Sequence, residues 1–204
     1  MAYSIEEEQE INQLKEWWKE NGKTIIVAFI LGIGGMFGWR YWQSHQANQI
    51  AEASAGYDAL VYAAEQDPAV QKAKLAEFVQ ANSKTSYAVF ALLDEAKNAV
   101  AKQDFARAEA ALQQALTQSQ DELLTSLTAL RLGAVQFQLG QLDSALSALN
   151  QVKTAGFTAR KALLTGDIQL AKGDNTGAKN SFEQALQTGS ALERQAAQMK
   201  LNNL

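Results

Sequence analysis

The sequence contains no cysteine, a single histidine (His45) and a single proline (Pro68) among its 204 residues. The absence of cysteine excludes disulfides, thiol catalysis and cysteine-ligated metals. A Ser-His triad would have to use His45, and no stretch has the spacing of a calcium loop. We therefore expect a protein that is not an enzyme and that holds no metal or cofactor.

A basic stripe is also absent, because 18 basic and 22 acidic residues are distributed along the chain with a net charge of -4. This balance argues against nucleic acid as a partner. The adjacent acidic pairs Asp94-Glu95 and Asp121-Glu122 are expected near helix starts, where they would favour the helix dipole. The abundance of Ala, Leu and Gln predicts an all-α fold.

One uncharged run stands out, Thr24–Trp39, which reads TIIVAFILGIGGMFGW. At about 1.5 Å per residue it spans roughly 24 Å, so the aromatic flank up to Trp42 must help it to cross a bilayer. We predict a transmembrane helix over residues 24–42, after a tail of residues 1–23. Gly34 and Gly38 form a small-xxx-small pair that could let another membrane helix approach closely.

Two alternatives to a membrane anchor remain open. A cleavable signal is suggested by the small-x-small triplets Ala51-Glu52-Ala53 and Ala53-Ser54-Ala55, although they lie far beyond the apolar run and the leading region is acidic. A buried core helix is disfavoured because four glycines would each cost up to about 1 kcal/mol relative to alanine.

The basic residues around the span predict its orientation. Lys15, Lys19 and Lys23 precede it, whereas Arg40 is the only Lys or Arg after it until Lys72. The positive-inside rule therefore places the N-terminus in the cytoplasm and the larger part of the chain on the other side.

After the span, we predict membrane-proximal helices within residues 43–86. One should run from about Gln46 to Gln66, and the next should begin with Asp67 as its cap and Pro68 in its first turn, ending near Ala81. Residues 82–86, NSKTS, should form a loop.

Residues 87–204 contain three segments that align with one another. Their shared alanines, Ala108, Ala145 and Ala178, are separated by 37 and 33 residues. This spacing and the helix-turn-helix pattern resemble the tetratricopeptide repeat, which has a period of about 34 residues. Small residues where paired helices cross, such as Gly133 and Gly166, would let the backbones approach, and residues 191–204 resemble a capping helix.

The chain as a whole resembles the YfgM family of ancillary SecYEG translocon subunits. The likeness is carried by the acidic tail, the Gly38-Trp39-Arg40-Tyr41-Trp42 exit, the repeats and the MKLNNL ending at Leu204. It implies a single-pass protein of the bacterial inner membrane with a periplasmic domain. The partners it implies are the SecYEG translocon and the membrane-anchored peptidyl-prolyl isomerase PpiD, within a network of periplasmic chaperones.

Tetratricopeptide domains bind partners in a groove lined by the first helix of each pair. The positions that match here are mostly apolar, and exposed apolar clusters mark protein contacts. In the alternative, the helices between Gln46 and Ala81 fold back and fill the groove. The predicted groove residues are Phe90, Leu93, Lys97, Leu127, Leu130, Phe137, Arg160, Leu163 and Asp167.

The function that we expect is a membrane-anchored scaffold at the translocon that helps to transfer secreted polypeptides to periplasmic chaperones. The alternative is a regulatory or assembly subunit that recognises one fixed protein partner without binding clients. Both rely on protein contacts.

Overall fold

The structure, a computed structural model, describes residues 5–66 and 68–204. All regular elements within these ranges are helical, so the predicted all-α fold is confirmed. The chain divides into two compact units, Met1–Glu52 and Ala53–Leu204. The helices are α1 (Ile5–Gln66), α2 (Pro68–Ala81), α3 (Ser86–Ala101), α4 (Phe105–Gln118), α5 (Glu122–Gln138), α6 (Leu142–Leu149), α7 (Thr158–Ala171), α8 (Asn175–Thr188) and α9 (Ala191–Leu201), with a 3₁₀ turn over Ala155–Phe157.

In the first unit, α1 carries the predicted membrane segment. Among the residues that the structure describes, α1 is the one helix long and apolar enough to cross a membrane. Large side chains such as Phe29 and Leu31 are about two-thirds exposed, at 67% and 70%. A Cβ placed on Gly34 or Gly38 would meet nothing within 4 Å. None of the described residues of this unit therefore covers the apolar surface, as expected for a helix that faces lipid.

The first helix differs from the prediction in its length. A separate helix starting near Gln46 was expected, but α1 continues without a break from Ile5 to Gln66. The reason is local: neither glycine nor proline occurs between Arg40 and Ala55, so no residue there interrupts the helix. The end at Gln66 and the start of α2 at Pro68 are as predicted. The predicted cap Asp67 lies outside the described residues.

In the second unit, the helices pair as antiparallel neighbours. Helices α3 and α4, α5 and α6, and α7 and α8 make the closest pairs, and α9 packs against α8 and α7. The pairs also stack on one another through α4 with α5 and α6 with α7, while α2 packs on α3. Each pair buries apolar surface against the next, which is how a helical repeat domain is stabilised. The predicted tetratricopeptide-like architecture and its terminal helix are confirmed.

The turn inside each pair has the same backbone conformation. Gln103, Gly140 and Gly173 all adopt positive φ, at 60°, 73° and 80°. They are separated by the same 37 and 33 residues as the aligned alanines. Glycine adopts this left-handed conformation at little cost, so two of the three turns use the preferred residue and the first does not.

Small residues allow the paired helices to cross closely, as the sequence indicated. A Cβ on Gly133 would lie 3.0 Å from the Leu149 side chain, and one on Gly166 would lie 2.3 Å from the Phe182 ring. Phe182 is fully buried. The absence of a side chain at Gly166 therefore makes room for the largest side chain of the third pair.

Acidic side chains begin several of these helices. Asp104, Asp121 and Asp174 accept hydrogen bonds from the backbone N–H groups of Arg107, Leu124 and Gly177, at 3.1, 2.8 and 2.8 Å. Asp121 therefore has the helix-start role predicted for it. The same prediction is wrong for Asp94 and Glu95, which lie in the middle of α3. These two carboxylates are bonded there by Tyr57 and Arg107 instead.

Candidate protein-binding groove

The predicted groove residues lie on α3, α5 and α7, the first helices of the three pairs. Helix α3 contacts α5, α5 contacts α7, and α7 contacts α9, so these four helices form a row. The residues nevertheless have different surroundings along the row, and four local environments can be distinguished.

At the start of the row, Phe90 is covered by aromatic rings. Its ring centroid lies 6.4 Å from that of Tyr57, near the end of α1, and 5.9 Å from that of Tyr87. The Tyr57 hydroxyl donates a hydrogen bond to Asp94. Burial, together with this bond and the nearby negative charge, raises the pKa of Tyr57 to about 12. The end of α1 therefore closes this part of the row.

In the middle of the row, the predicted residues are half-buried between neighbouring pairs. Leu127 packs against the apolar core around Leu92 and Leu112. Leu130 and Phe137 pack against the core around Leu149 and Ile168. Leu163 packs against the core that joins α7, α8 and α9. Each of these side chains contributes to packing between helices and presents only part of its surface.

At the end of the row, the two charged groove residues are paired with α9. Arg160 donates to Glu193 at 3.1 Å, and Lys200 forms an ion pair with Asp167. Glu193 also closes a capping box with Ser190. The hydrogen bonds from Ser190, with a smaller contribution from Arg160, hold the pKa of the Glu193 carboxyl below its usual value. Helix α9 therefore binds both of the charged groove residues that α7 contributes.

Between the first and second pairs, the structure contains an open apolar pocket. We call it the α3–α5 pocket, a cavity of about 350 Å³ between α3, α4 and α5. Two predicted groove residues line it, Leu93 and Lys97. The other lining residues are Ala96, Val100, Phe105, Leu112, Arg131, Ala134, Val135 and Gln138.

Sequence reasoning missed the α5 side of this pocket. Arg131, Val135 and Gln138 follow one another at helical spacing, so they share a face of α5. The prediction selected the apolar residues Leu127 and Leu130 and passed over the charged residue that directly follows Leu130. Arg131 lies four residues after Leu127, so a search for basic residues one helical turn after an apolar groove residue would have found it.

The charge of the α3–α5 pocket differs from that of the chain. Lys97 and Arg131 are exposed, and no acidic residue lines the pocket. Within the described residues, neither cation forms an ion pair, whereas the α3 carboxylate Glu95 is bonded to Arg107 and Asp94 to Tyr57. The pocket is thus an apolar depression with a positive rim.

The side chains that line this pocket are apolar, basic or amide-bearing. No hydroxyl, thiol, imidazole or carboxylate side chain lines the pocket, and the single histidine lies on α1, exposed and hydrogen-bonded to Gln49 at 3.1 Å. In the part of the chain that the structure describes, no cluster of three His, Cys, Asp or Glu side chains could hold a metal ion. What the pocket offers is an apolar surface and two cations.

Known proteins are similar to this chain over its full length. A family model described as a tetratricopeptide repeat-like domain matches residues 15–204. A protein of Haemophilus influenzae named ancillary SecYEG translocon subunit is 76% identical over 100% of both chains. Proteins of the same name from Aggregatibacter actinomycetemcomitans and Escherichia coli are 54% identical over 100% of both chains, and 37% identical over 97% of this chain and 96% of the other. No solved structure matches the chain.

Proposed function

Because the chain belongs to the family of ancillary SecYEG translocon subunits and carries a tetratricopeptide repeat-like domain, we propose that it is a non-catalytic scaffold at the Sec translocon. The single observation that carries this proposal is the similarity over the whole length of both chains. The chain is similar to these translocon subunits over both the membrane segment and the repeats.

The proposed location is the bacterial inner membrane, with one crossing by α1. The N-terminus would be cytoplasmic, since three lysines precede the span and one arginine follows it closely. The helical pairs would then lie in the periplasm. In this arrangement they would meet a polypeptide as it leaves the translocon.

Tethering is the proposed mechanism. Two binding modules confined to one membrane meet at a high effective concentration, so weak and reversible contacts are sufficient. The groove would hold part of a partner protein, with PpiD and secreted polypeptides as the candidates, and emerging chains would pass to periplasmic chaperones. The open α3–α5 pocket supports this proposal, because it is an exposed apolar surface that no described residue covers.

A second candidate function is a subunit that assembles with one fixed partner and binds no clients. The half-buried state of Leu127, Leu130 and Phe137 favours it, because little of the middle row is free to recognise many sequences. Both candidates require association with the translocon, and they differ in the number of partners.

Purification of the intact protein in a mild detergent tests the proposal. We expect the translocon subunits to co-purify, as judged by mass spectrometry against a variant whose residues 24–42 are replaced by an unrelated membrane helix. Absence of the translocon from the intact protein's preparation would contradict the proposal.

Crosslinking during secretion separates the two candidate functions. A photoreactive residue at Ala134, which is exposed in the α3–α5 pocket, should give many products with a client-binding scaffold and one product with a fixed partner. The same probe at the exposed Ser147 on α6, which does not line this pocket, serves as the control.

A further inference from the structure

We propose that the α3–α5 pocket is an anchor site for a partner segment in which a large apolar side chain is flanked by carboxylates. This inference rests on the proposed function, and it specifies the chemistry of the segment that the scaffold recognises.

The first step is the apolar floor. Leu93, Leu112 and Val135 line the pocket but are only 5%, 1% and 5% exposed, so they form its base. Val100, at 39%, lies at the edge. A cavity of about 350 Å³ is near the lower end of the roughly 300–1,000 Å³ that ligand sites occupy. The floor therefore fits a short apolar anchor, and burial of a large aliphatic or aromatic side chain is the main source of affinity such a site offers.

The second step is the charge of the rim. Lys97 on α3 and Arg131 on α5 flank the opening without an acidic residue among the lining side chains. The chain as a whole has a net charge of -4, so a rim of two cations without an acidic lining residue is opposite in sign to the chain. Carboxylates next to the apolar anchor would satisfy both cations, and the guanidinium group of Arg131 could bind one of them through two hydrogen bonds.

The third step excludes the opposite chemistry. A basic segment would bring its charges close to Lys97 and Arg131, and like charges that face each other across an interface disfavour binding. The nearest α3 carboxylates, Asp94 and Glu95, are already bonded to Tyr57 and Arg107. They are therefore not available to attract a basic partner. The occupant is an acidic and apolar segment.

Binding of designed peptides to the full-length protein in mild detergent tests this proposal. The probes are fluorescein-labelled heptapeptides of the form Ser-Gly-x-x-x-Gly-Ser, whose central residues are Asp-Phe-Asp, Asp-Ala-Asp or Lys-Phe-Lys. We expect the first peptide to bind at least about tenfold more tightly than either of the others, as measured by fluorescence anisotropy. Its affinity should fall as salt rises from about 0.05 M to about 0.5 M, because the rim charges are exposed.

Three variants distinguish this pocket from other surfaces. The double change Lys97→Glu and Arg131→Glu should weaken the Asp-Phe-Asp peptide at least tenfold, and Ala134→Trp, from an exposed lining position, should block the pocket. Lys153→Glu reverses one positive charge at an exposed residue outside the pocket and should leave binding unchanged. Circular dichroism of each variant must match that of the parent protein.

Two results would overturn the proposal. One is equal affinity for the acidic and basic peptides. The other is binding that survives both Ala134→Trp and the double charge reversal in folded protein. Translocon co-purification, measured on the same preparations, separates this outcome from failure of the proposed function: retained translocon without peptide discrimination would contradict the pocket assignment alone.

Discussion

At the scale of single residues, the first repeat turn is the least favourable of the three. Gln103 adopts a φ of 60°, where its counterparts are Gly140 and Gly173. A left-handed conformation costs a residue with a Cβ about 1–2 kcal/mol, and the extra freedom of glycine in the unfolded chain offsets part of that. We expect Gln103→Gly to raise the free energy of unfolding by about 0.5–1 kcal/mol, measured by urea denaturation of the full chain in detergent.

Gly140→Ala is the matched control for that prediction. It places a Cβ at the equivalent turn, where φ is 73° and no atom lies within 4 Å of the new carbon, so it should destabilise through backbone strain alone. Changes of the same sign in both variants would contradict the conformational argument.

The second prediction at this scale concerns the Tyr57 hydroxyl. Tyr57→Phe removes the hydrogen bond to Asp94 and keeps the ring contacts with Tyr87 and Phe90. A hydrogen bond to a charged group contributes about 1.5–3 kcal/mol, so we expect a loss of about that size or slightly less at pH 7, because the site is partly exposed. Tyr87→Phe, which keeps its place in the same aromatic cluster, should have a smaller effect.

The pH dependence of the Tyr57 difference follows from its pKa. The folded-state pKa is raised from 10.0 to about 12. The stabilisation is therefore fully present below pH 10 and is lost as pH rises towards 12. The stability difference between the parent protein and Tyr57→Phe should be constant from neutral pH to about pH 9 and shrink above pH 10. A difference that grows in that window would contradict the assigned hydrogen bond.

At the scale of elements, the helix crossing in the third pair depends on Gly166. A Cβ there would lie 2.3 Å from the ring of the buried Phe182, which cannot move away without disturbing the core. We expect Gly166→Ala to destabilise the protein by about 1–3 kcal/mol, the range found for overpacked cores. Thermal unfolding followed by circular dichroism checks this.

Gly156→Ala, in the 3₁₀ turn, is the control for the helix crossing. A Cβ at this position would meet nothing within 4 Å. It should leave the stability almost unchanged. Equal losses in the two variants would show that close approach is not the cause.

The sequence allowed prediction of elements whose signals are local. The proline at the start of α2 and the small residues at Gly133 and Gly166 each act within one turn or one helical pair. The continuity of α1 was missed because the apolar run ends near Trp42, although helix formation does not depend on hydropathy. The hydrogen bond from Tyr57 to Asp94 joins residues 37 positions apart, and no local pattern indicates it.

The predicted groove shows the same limit. Leu93 and Lys97 were predicted as groove residues because they lie at matching positions of a first helix, and both line the α3–α5 pocket. Arg131 was not predicted, because its place in the lining depends on how α5 packs beside α3. The pairing of Arg160 and Asp167 with α9 likewise follows from the position of the terminal helix, which the repeat pattern alone does not specify.

At the scale of the whole molecule, the proposed function needs one apolar helix in a membrane and a stack of helical pairs in water. The first unit leaves its large apolar side chains exposed, while the second buries its own in a repeat core. The exposed apolar side chains of the first unit therefore suit lipid, whereas the second unit, with its apolar core buried, suits water. A single crossing by α1 provides both.

The absence of cysteine makes the topology directly measurable. Single cysteines placed at two exposed positions, Glu10 before the span and Ser147 on α6, would be labelled with a membrane-impermeant maleimide in cells whose outer membrane has been opened. We expect Ser147→Cys to react while the inner membrane is intact and Glu10→Cys to react only after that membrane is broken. Labelling of Glu10→Cys but not Ser147→Cys in intact spheroplasts would contradict this expectation.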